Sequence, residues 1–263
     1  MNSLRFLGSG DSQGVPRWWC SCPICAEART GGLNSRLRPS VLLRSGGETW
    51  LIDPGPDFRA QALAAGLSGL SGVLVTHAHN DHILGLGDVM DFARWTGAEF
   101  PVLAPPDALE GLRERFGYLF RGRLANRFAA LPAAGQRVGG WVVTNFPVNH
   151  GFNGLANALR FEALQHGSAW VYMPDAFQLE AASLEQLRGL RLLVTGASFW
   201  EEHAPPKTRS VHDVLEALAL AERVKPEQLV LTHLGHDVDA RRAGELPRWA
   251  ALGRDGMELD LEC

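Results

Sequence analysis

Val73-Leu74-Val75-Thr76-His77-Ala78-His79-Asn80-Asp81-His82 decides how this chain is read. An apolar run ends in three imidazoles and a carboxylate between positions 77 and 82, as when a strand hands a cluster to a loop. Side chains alternate along an extended segment, so His77 and His79 point to one side and can grip one cation. Asp81 and His82 follow at the turn into a helix and can reach a second. Imidazole and carboxylate suit zinc, manganese or ferrous iron, and two metals about 3.5–4 Å apart suit hydrolysis of phosphoesters or acyl groups.

Three later positions repeat this grammar of an apolar run followed by a ligand-type side chain. His150 follows Pro147-Val148-Asn149, Asp175 follows Trp170-Val171-Tyr172-Met173-Pro174, and His233 ends Gln228-Leu229-Val230-Leu231-Thr232. His77, His79 and His150 would bind one metal, and Asp81, His82 and His233 the other. A carboxylate such as Asp175 could bridge them.

With Asp53 in Leu51-Ile52-Asp53-Pro54-Gly55 placed before the cluster, the pattern resembles the metallo-β-lactamase superfamily over nearly the whole chain. That resemblance implies an α/β fold: an αββα sandwich of two mixed sheets flanked by helices, with a dinuclear site at one edge between the sheets. It also implies that Asp53 supports the metal ligands from behind.

Four cysteines are present, and three of them crowd into Cys20-Ser21-Cys22-Pro23-Ile24-Cys25. That is poor geometry for a disulfide framework and good geometry for a metal clip. A tetrahedral structural zinc needs a fourth ligand, and His236, three residues past His233, is the candidate. The clip would stiffen a Cys-rich loop at about 16–30 and tie it to the active-site edge.

Gly8-Ser9-Gly10-Asp11-Ser12-Gln13-Gly14-Val15-Pro16 followed by the clip resembles the PhnP-type phosphodiesterases of phosphonate degradation. The pair His233 and His236 and the stretch Asp255-Gly256-Met257-Glu258 resemble them too. Leu37-Arg38-Pro39-Ser40, Pro56-Asp57-Phe58-Arg59-Ala60-Gln61 and Gly196-Ala197-Ser198-Phe199-Trp200 are instead similar to the PqqB family of pyrroloquinoline-quinone biosynthesis. PqqB proteins typically have an eroded histidine motif, whereas the motif here is complete. Phosphodiesterases of the superfamily place a histidine before the His233 strand to assist the leaving oxygen, which suits imidazole. His212 in Ser210-Val211-His212-Asp213, at the start of an expected helix, takes that role by resemblance, with His203 as its rival.

The remaining features set bounds. Apolar residues make up 46% and charged residues 21% of 263, and the net charge is −4, so general attraction to nucleic acid is disfavoured. The first residues hold too short an apolar run for a signal peptide or membrane span, which makes a reducing cytoplasm the default. The glycines at 8, 10 and 14 lack a following Lys-Ser/Thr, which rejects a P-loop and leaves tight turns as their use. Trp18-Trp19 and Phe199-Trp200 are candidates for a pocket wall, and His166 reads as a hairpin-turn residue.

Strands are expected at 4–8, 40–44, 49–52, 72–76, 102–104, 141–148, 154–162, 169–173, 190–195, 228–232 and near 257–261. Helices are expected at 58–65, 83–95, 107–116, 179–188 and 211–224, and the irregular stretch 118–136 as a mobile lid. No linker or repeat divides the chain, so positions 1–263 read as one metallo-β-lactamase-like domain. The expected function is dinuclear, metal-dependent hydrolysis of phosphodiesters, small or cyclic, by hydroxide delivered at the metals. Asp81, Asp175 and His212 would be its catalytic side chains. The expected cofactors are two catalytic divalent metals (manganese, zinc or iron) and one structural zinc. The expected partner is a small-molecule phosphodiester, with neither membrane nor nucleic acid, and a homodimer left open. The alternative is a PqqB-like enzyme of quinone-cofactor biosynthesis.

Overall fold

The computed structural model describes residues 2–165 and 167–261, so His166 and Cys263 lie outside the described residues. Its strands, in chain order, begin with β1 (Ser3–Gly8), β2 (Ser40–Ser45), β3 (Glu48–Ile52), β4 (Gly72–Leu74), β5 (Val102–Ala104), β6 (Phe128–Ala130) and β7 (Gln136–Val138). They continue with β8 (Trp141–Asn149), β9 (Leu155–Ala163), β10 (Ala169–Met173), β11 (Leu192–Gly196), β12 (Gln228–Thr232), β13 (Ala250–Leu252) and β14 (Glu258–Asp260). The α-helices are α1 (Pro23–Ala28), α2 (Phe58–Ala64), α3 (Asn80–Ile83), α4 (Leu86–Thr96), α5 (Pro106–Arg115), α6 (Ala181–Glu185) and α7 (Val214–Val224).

The strands form two seven-stranded mixed sheets, ordered β14-β1-β2-β3-β4-β5-β6 and β13-β12-β11-β10-β9-β8-β7. Period-two alternation sorts each strand's side chains between layers. On β10, Trp170 and Tyr172 join Phe6, Leu43, Ile52 and Phe161 in the core between the sheets, while Val171 and Met173 face the other way. There the Phe161 and Trp170 rings stack at 3.8 Å with an interplanar angle of 7°. Burying each such side chain contributes roughly 1.5–3 kcal/mol. On the outer face of the first sheet, Leu42, Leu51, Val73 and Val102 pack with Phe58, Val89, Met90 and Leu112 of α2, α4 and α5. On the outer face of the second, Val171, Leu193 and Leu231 pack with Leu184, Val214 and Ala217 of α6 and α7. The result is the expected αββα sandwich.

Several expected elements differ. The helix foreseen at 83–95 breaks at Leu84-Gly85, where the Gly85 amide bonds the Pro54 carbonyl at 2.8 Å and a Cβ would strike the Gly55 carbonyl. The helix foreseen at 179–188 keeps only α6. The one foreseen at 211–224 starts at Val214, because Asp213 caps it through the Glu216 amide and Glu216 returns a bond to the Asp213 amide. The stretch 118–136 is not a lid over the cluster: it supplies β6, which pairs with β5 at the sheet edge, and the first residue of β7, and none of it lines the catalytic cavity. Strands β6, β7 and β13 are three residues each, too short to stand out as patterns. No helix among the described residues is long and apolar enough to cross a membrane.

Candidate metal centre and cavity

The sandwich brings five strand ends to one edge. His77 to His82 follow β4, Asp53 follows β3, His150 follows β8, Asp175 follows β10 and His233 follows β12. Asp53 and His233 both have φ of 55°, a left-handed conformation that costs non-glycine residues energy and is found where a site fixes the backbone.

Two ligand sets form around one carboxylate. His77 Nε2 lies 3.0 Å from His79 Nδ1, which lies 3.3 Å from His150 Nε2. His82 Nε2 and His233 Nε2 lie 3.2 and 3.3 Å from Asp81 Oδ2. Asp175 stands between them, its Oδ2 at 2.8 Å from His82 Nε2 and 3.7 Å from His77 Nε2, and its Oδ1 at 3.3 Å from His233 Nε2. Nitrogens bound to one tetrahedral zinc would be about 3.3 Å apart, given bonds of roughly 2.0–2.1 Å.

The outward nitrogens settle what the inward ones can do. His150 Nδ1 donates to the Ser210 carbonyl at 2.7 Å. His82 Nδ1 donates to Asp53 Oδ2 at 2.8 Å, and Thr76 Oγ1 donates to the same oxygen at 2.8 Å. Thr76 Oγ1, its proton thus committed, accepts from His77 Nδ1 at 3.0 Å. With Nδ1 protonated, neutral imidazoles of His77, His82 and His150 turn Nε2 lone pairs inward, where Nδ1 of His79 also points, and that is the arrangement a cation requires. His82 Nε2 and Asp175 Oδ2 are also out of line for a hydrogen bond, and both are buried without a hydrogen-bond partner. The residues therefore fit divalent metal, with Asp53 orienting His82 directly and His77 through Thr76.

The electrostatics agree with this fit. Burial would lower His233, but the charges of Asp175 and Asp81 outweigh it and lift its pKa to about 9. Burial likewise opposes a charge on His82, yet Asp81, Asp53 and Asp175 hold it well above its usual value. Burial alone would raise Asp175; the surrounding imidazoles, His233 and His82 foremost, pull it well below the usual carboxylate range. The edge carries concentrated negative potential, and a divalent cation would displace the histidine protons that potential retains.

Beside it sits the clip. Sγ of Cys20, Cys22 and Cys25 lie 3.3, 3.5 and 3.3 Å from His236 Nδ1. Sulfur and nitrogen sharing a tetrahedral zinc would be about 3.6 Å apart, from bonds of roughly 2.3 and 2.0–2.1 Å. Gly235 lets the His233–His236 turn fit, since a Cβ there would strike the Ser198 carbonyl and crowd the Asp11 carboxylate.

Above the ligand sets lies a cavity of about 640 Å³ lined by His79, Asp81, His150, Asp175 and His233, and by Arg17, Trp19, Asn80, Arg115, Asn153, Phe199 and Arg209. Arg17 Nη2 pairs with Asp11 Oδ2 at 2.8 Å. Arg209 is enclosed by Glu202, Asp213 and Glu216. Arg115 meets a neutral partner, Asn80 Oδ1, at 2.6 Å. Arg115, Arg209 and Asn153 escaped the sequence reading because lone arginines and asparagines in loops or helix ends carry no pattern.

His212 is not among the lining residues; its neighbour Val211 is. The His212 ring is buried beside Phe177, and its Nε2 accepts from the Gln178 amide at 3.2 Å. Burial pushes its pKa down to about 4. The ring thus faces the protein rather than the lining of the cavity, and His203 does not line it either. Helix α7 starts later than expected, so the loop before it turns His212 inward.

Comparison with known proteins agrees with this architecture. Residues 48–234 match the family model of the beta-lactamase superfamily domain. The chain is 31% identical over 268 residues to an octanoyltransferase of Porphyromonas gingivalis, covering 97% of the chain and 51% of that protein. The chain thus spans about half the length of that relative. It is 30% identical to a ribonuclease Z of Mycolicibacterium paratuberculosis over 83% of the chain and 86% of that protein. Among solved structures, a diphosphatase from the PhnP family superposes with a TM-score of 0.84 at 30% identity, covering 100% of this chain and 98% of that one. Zinc-bound PqqB from Methylobacterium extorquens does so at 0.76 and 21%, covering 98% and 100%, a likeness of fold.

Proposed function

The chain belongs to the beta-lactamase superfamily, and we propose that it is a metal-dependent phosphodiesterase acting on small or cyclic phosphodiesters. The observation that carries this reading is the convergence of the two ligand sets on Asp175, at the floor of a cavity edged by guanidinium groups. The likeness to a PhnP-family diphosphatase and to a ribonuclease Z, both named for cleavage at phosphorus, supports it.

Divalent cations held by His77, His79 and His150 and by Asp81, His82 and His233 would polarise the phosphate and activate the attacking water. Asp175, between the two sets, would orient that water toward phosphorus. Hydrolysis joins the water oxygen to phosphorus, breaks one ester P–O bond, and sends the ester oxygen away with a proton. Every histidine lining the cavity belongs to a ligand set, so the charge growing on the phosphate and leaving oxygen falls to the arginines. Arg115 would suit this, because among the described residues its side-chain partner is the neutral Asn80. Zinc in the clip would hold the wall of the cavity.

The test is hydrolysis of an aryl phosphodiester and of 2′,3′-cyclic nucleotides by protein loaded with zinc or manganese. Turnover of these esters is expected; their complete resistance in metal-replete protein would overturn the reading. A PqqB-like role, favoured by 33% identity to a PqqB of Methylobacterium nodulans over 54% of the chain, predicts instead bound iron and oxygen uptake.

A further inference from the structure

We propose that Trp19 is a specificity-determining platform that stacks a nucleobase, so that the preferred substrate is a nucleoside phosphodiester rather than a base-free sugar phosphate. This rests on the phosphodiesterase reading above.

Trp19 lines the metal cavity and is 55% exposed; Trp18 beside it is 85% exposed. Tryptophan is costly to leave in water, and a slack loop would fold such rings inward. This loop is not slack. Arg29 Nη2 donates to the Arg17 carbonyl at 2.9 Å and to the Cys20 carbonyl, while the Arg17 amide donates to Cys25 Sγ at 3.4 Å. The next residue, Cys20, belongs to the clip. Trp18 and Trp19 meet edge to face, with centroids 5.2 Å apart and planes at 81°, so each ring limits the swing of the other. A rigid loop thus presents an indole to a cavity whose other lining is mostly polar.

The same loop also sets a cation at the cavity. Arg17 lines the cavity two residues before Trp19, with its Nε edge buried. Asp11 fixes the other edge of the guanidinium through Nη2. Cation and indole on one anchored segment, facing the ligand sets, suit a ligand in which a phosphoester and a planar ring are a few bonds apart. At about 640 Å³ the cavity exceeds what a bare phosphoester would fill and falls in the range for nucleotide-sized ligands. Stacking accepts any base, because every base offers a π-face.

The experiment compares two matched esters, adenosine 2′,3′-cyclic phosphate and methyl ribofuranoside 2,3-cyclic phosphate, in the wild type, Trp19→Ala and Trp19→Phe. Equal zinc content and melting temperature serve as the fold control. The wild type should prefer the adenosine ester, with the preference residing in KM. In Trp19→Ala the ratio of kcat/KM between the two esters should fall roughly tenfold to a hundredfold, and Trp19→Phe should restore most of it. Equal losses on both esters, or an unchanged ratio, would overturn the proposal. If the wild type cleaves neither ester, the phosphodiesterase reading fails by itself, and calorimetric titration with AMP and with ribose 5-phosphate decides the platform. Tighter AMP binding that Trp19→Ala abolishes supports it; equal binding of the two ligands overturns it.

Discussion

Asp53 Oδ2 lies 2.8 Å from Nδ1 of His82, and through Thr76 Oγ1 the same oxygen also positions His77. One buried carboxylate therefore orients a histidine in each ligand set. Its backbone is left-handed, which asparagine tolerates and alanine does not. Asp53→Asn should keep the turn but weaken metal retention, on the order of 10- to 100-fold in affinity, as for other carboxylates that orient metal-binding histidines. Metal titration with a competing chelator reads this out, and unchanged affinity would show that Asp53 serves the backbone alone.

Removing a carboxylate from the centre itself should be harsher. Asp81→Ala and Asp175→Ala each lose a ligand atom and the negative charge that attracts the cation. Several kcal/mol of transition-state stabilisation corresponds to a fall on the order of 10³-fold in kcat. Either variant at full phosphodiesterase activity would rule out the mechanism.

Arg115 offers a gentler perturbation. Its side chain is exposed and bonded to Asn80, so Arg115→Ala should fold normally and lower kcat/KM for phosphodiesters about tenfold, mainly through kcat. Arg115→Lys should recover little where the planar guanidinium is needed. Values of kcat and KM at fixed ionic strength decide the point, and an unchanged kcat would remove Arg115 from the transition state.

His212 gives a pH signature. Its folded pKa of about 4 lies below its ordinary 6.5, so between these values the unfolded chain binds more protons than the native one. Stability from this group is complete above pH 6.5 and drains away as pH falls toward 4, by a total on the order of 3 kcal/mol. In urea melts across that window, His212→Gln should flatten the acid limb. It should leave kcat near pH 7 within a few-fold of wild type; a loss of 100-fold in a folded variant would return His212 to the chemistry.

The clip can be tested by counting. His236→Ala should release about one zinc per chain while the histidine–aspartate centre keeps its metals, and lower the melting temperature by several degrees. Metal analysis alongside calorimetry checks both halves. Unchanged zinc content would mean that three thiolates suffice or that the clip is metal-free.

Much of the fold and centre was legible because both rest on strong local patterns. Apolar runs of five or more residues, such as 169–173 and 228–232, marked central strands, and each ended in a residue with only a few chemical uses. Pattern misleads where tertiary contact overrides it. Gly85 broke a well-spaced helix because the Pro54-Gly55 loop presses against it. His212 looked catalytic in one dimension, but the Asp213 cap delays α7 and leaves the ring facing inward. The cap was written in the sequence as Asp213 followed three residues later by Glu216, a signal the reading passed over. Arg17, Arg115 and Arg209 meet only after the loops close.

The short turn joining His233 to His236 also has a consequence for how the molecule is made. His236 is synthesised 216 residues after Cys20. At ribosomal rates of roughly 5–20 residues per second, the three thiols wait about 10 to 45 s for their fourth partner. Asp255, which grips the Ser9 and Leu37 amides, emerges later still. A nascent chain therefore exposes its cysteines early but cannot close the clip until His236 has emerged. Any metal that needs all four clip residues could bind only after that point, and chains that stall before His233 emerges have neither complete ligand cluster.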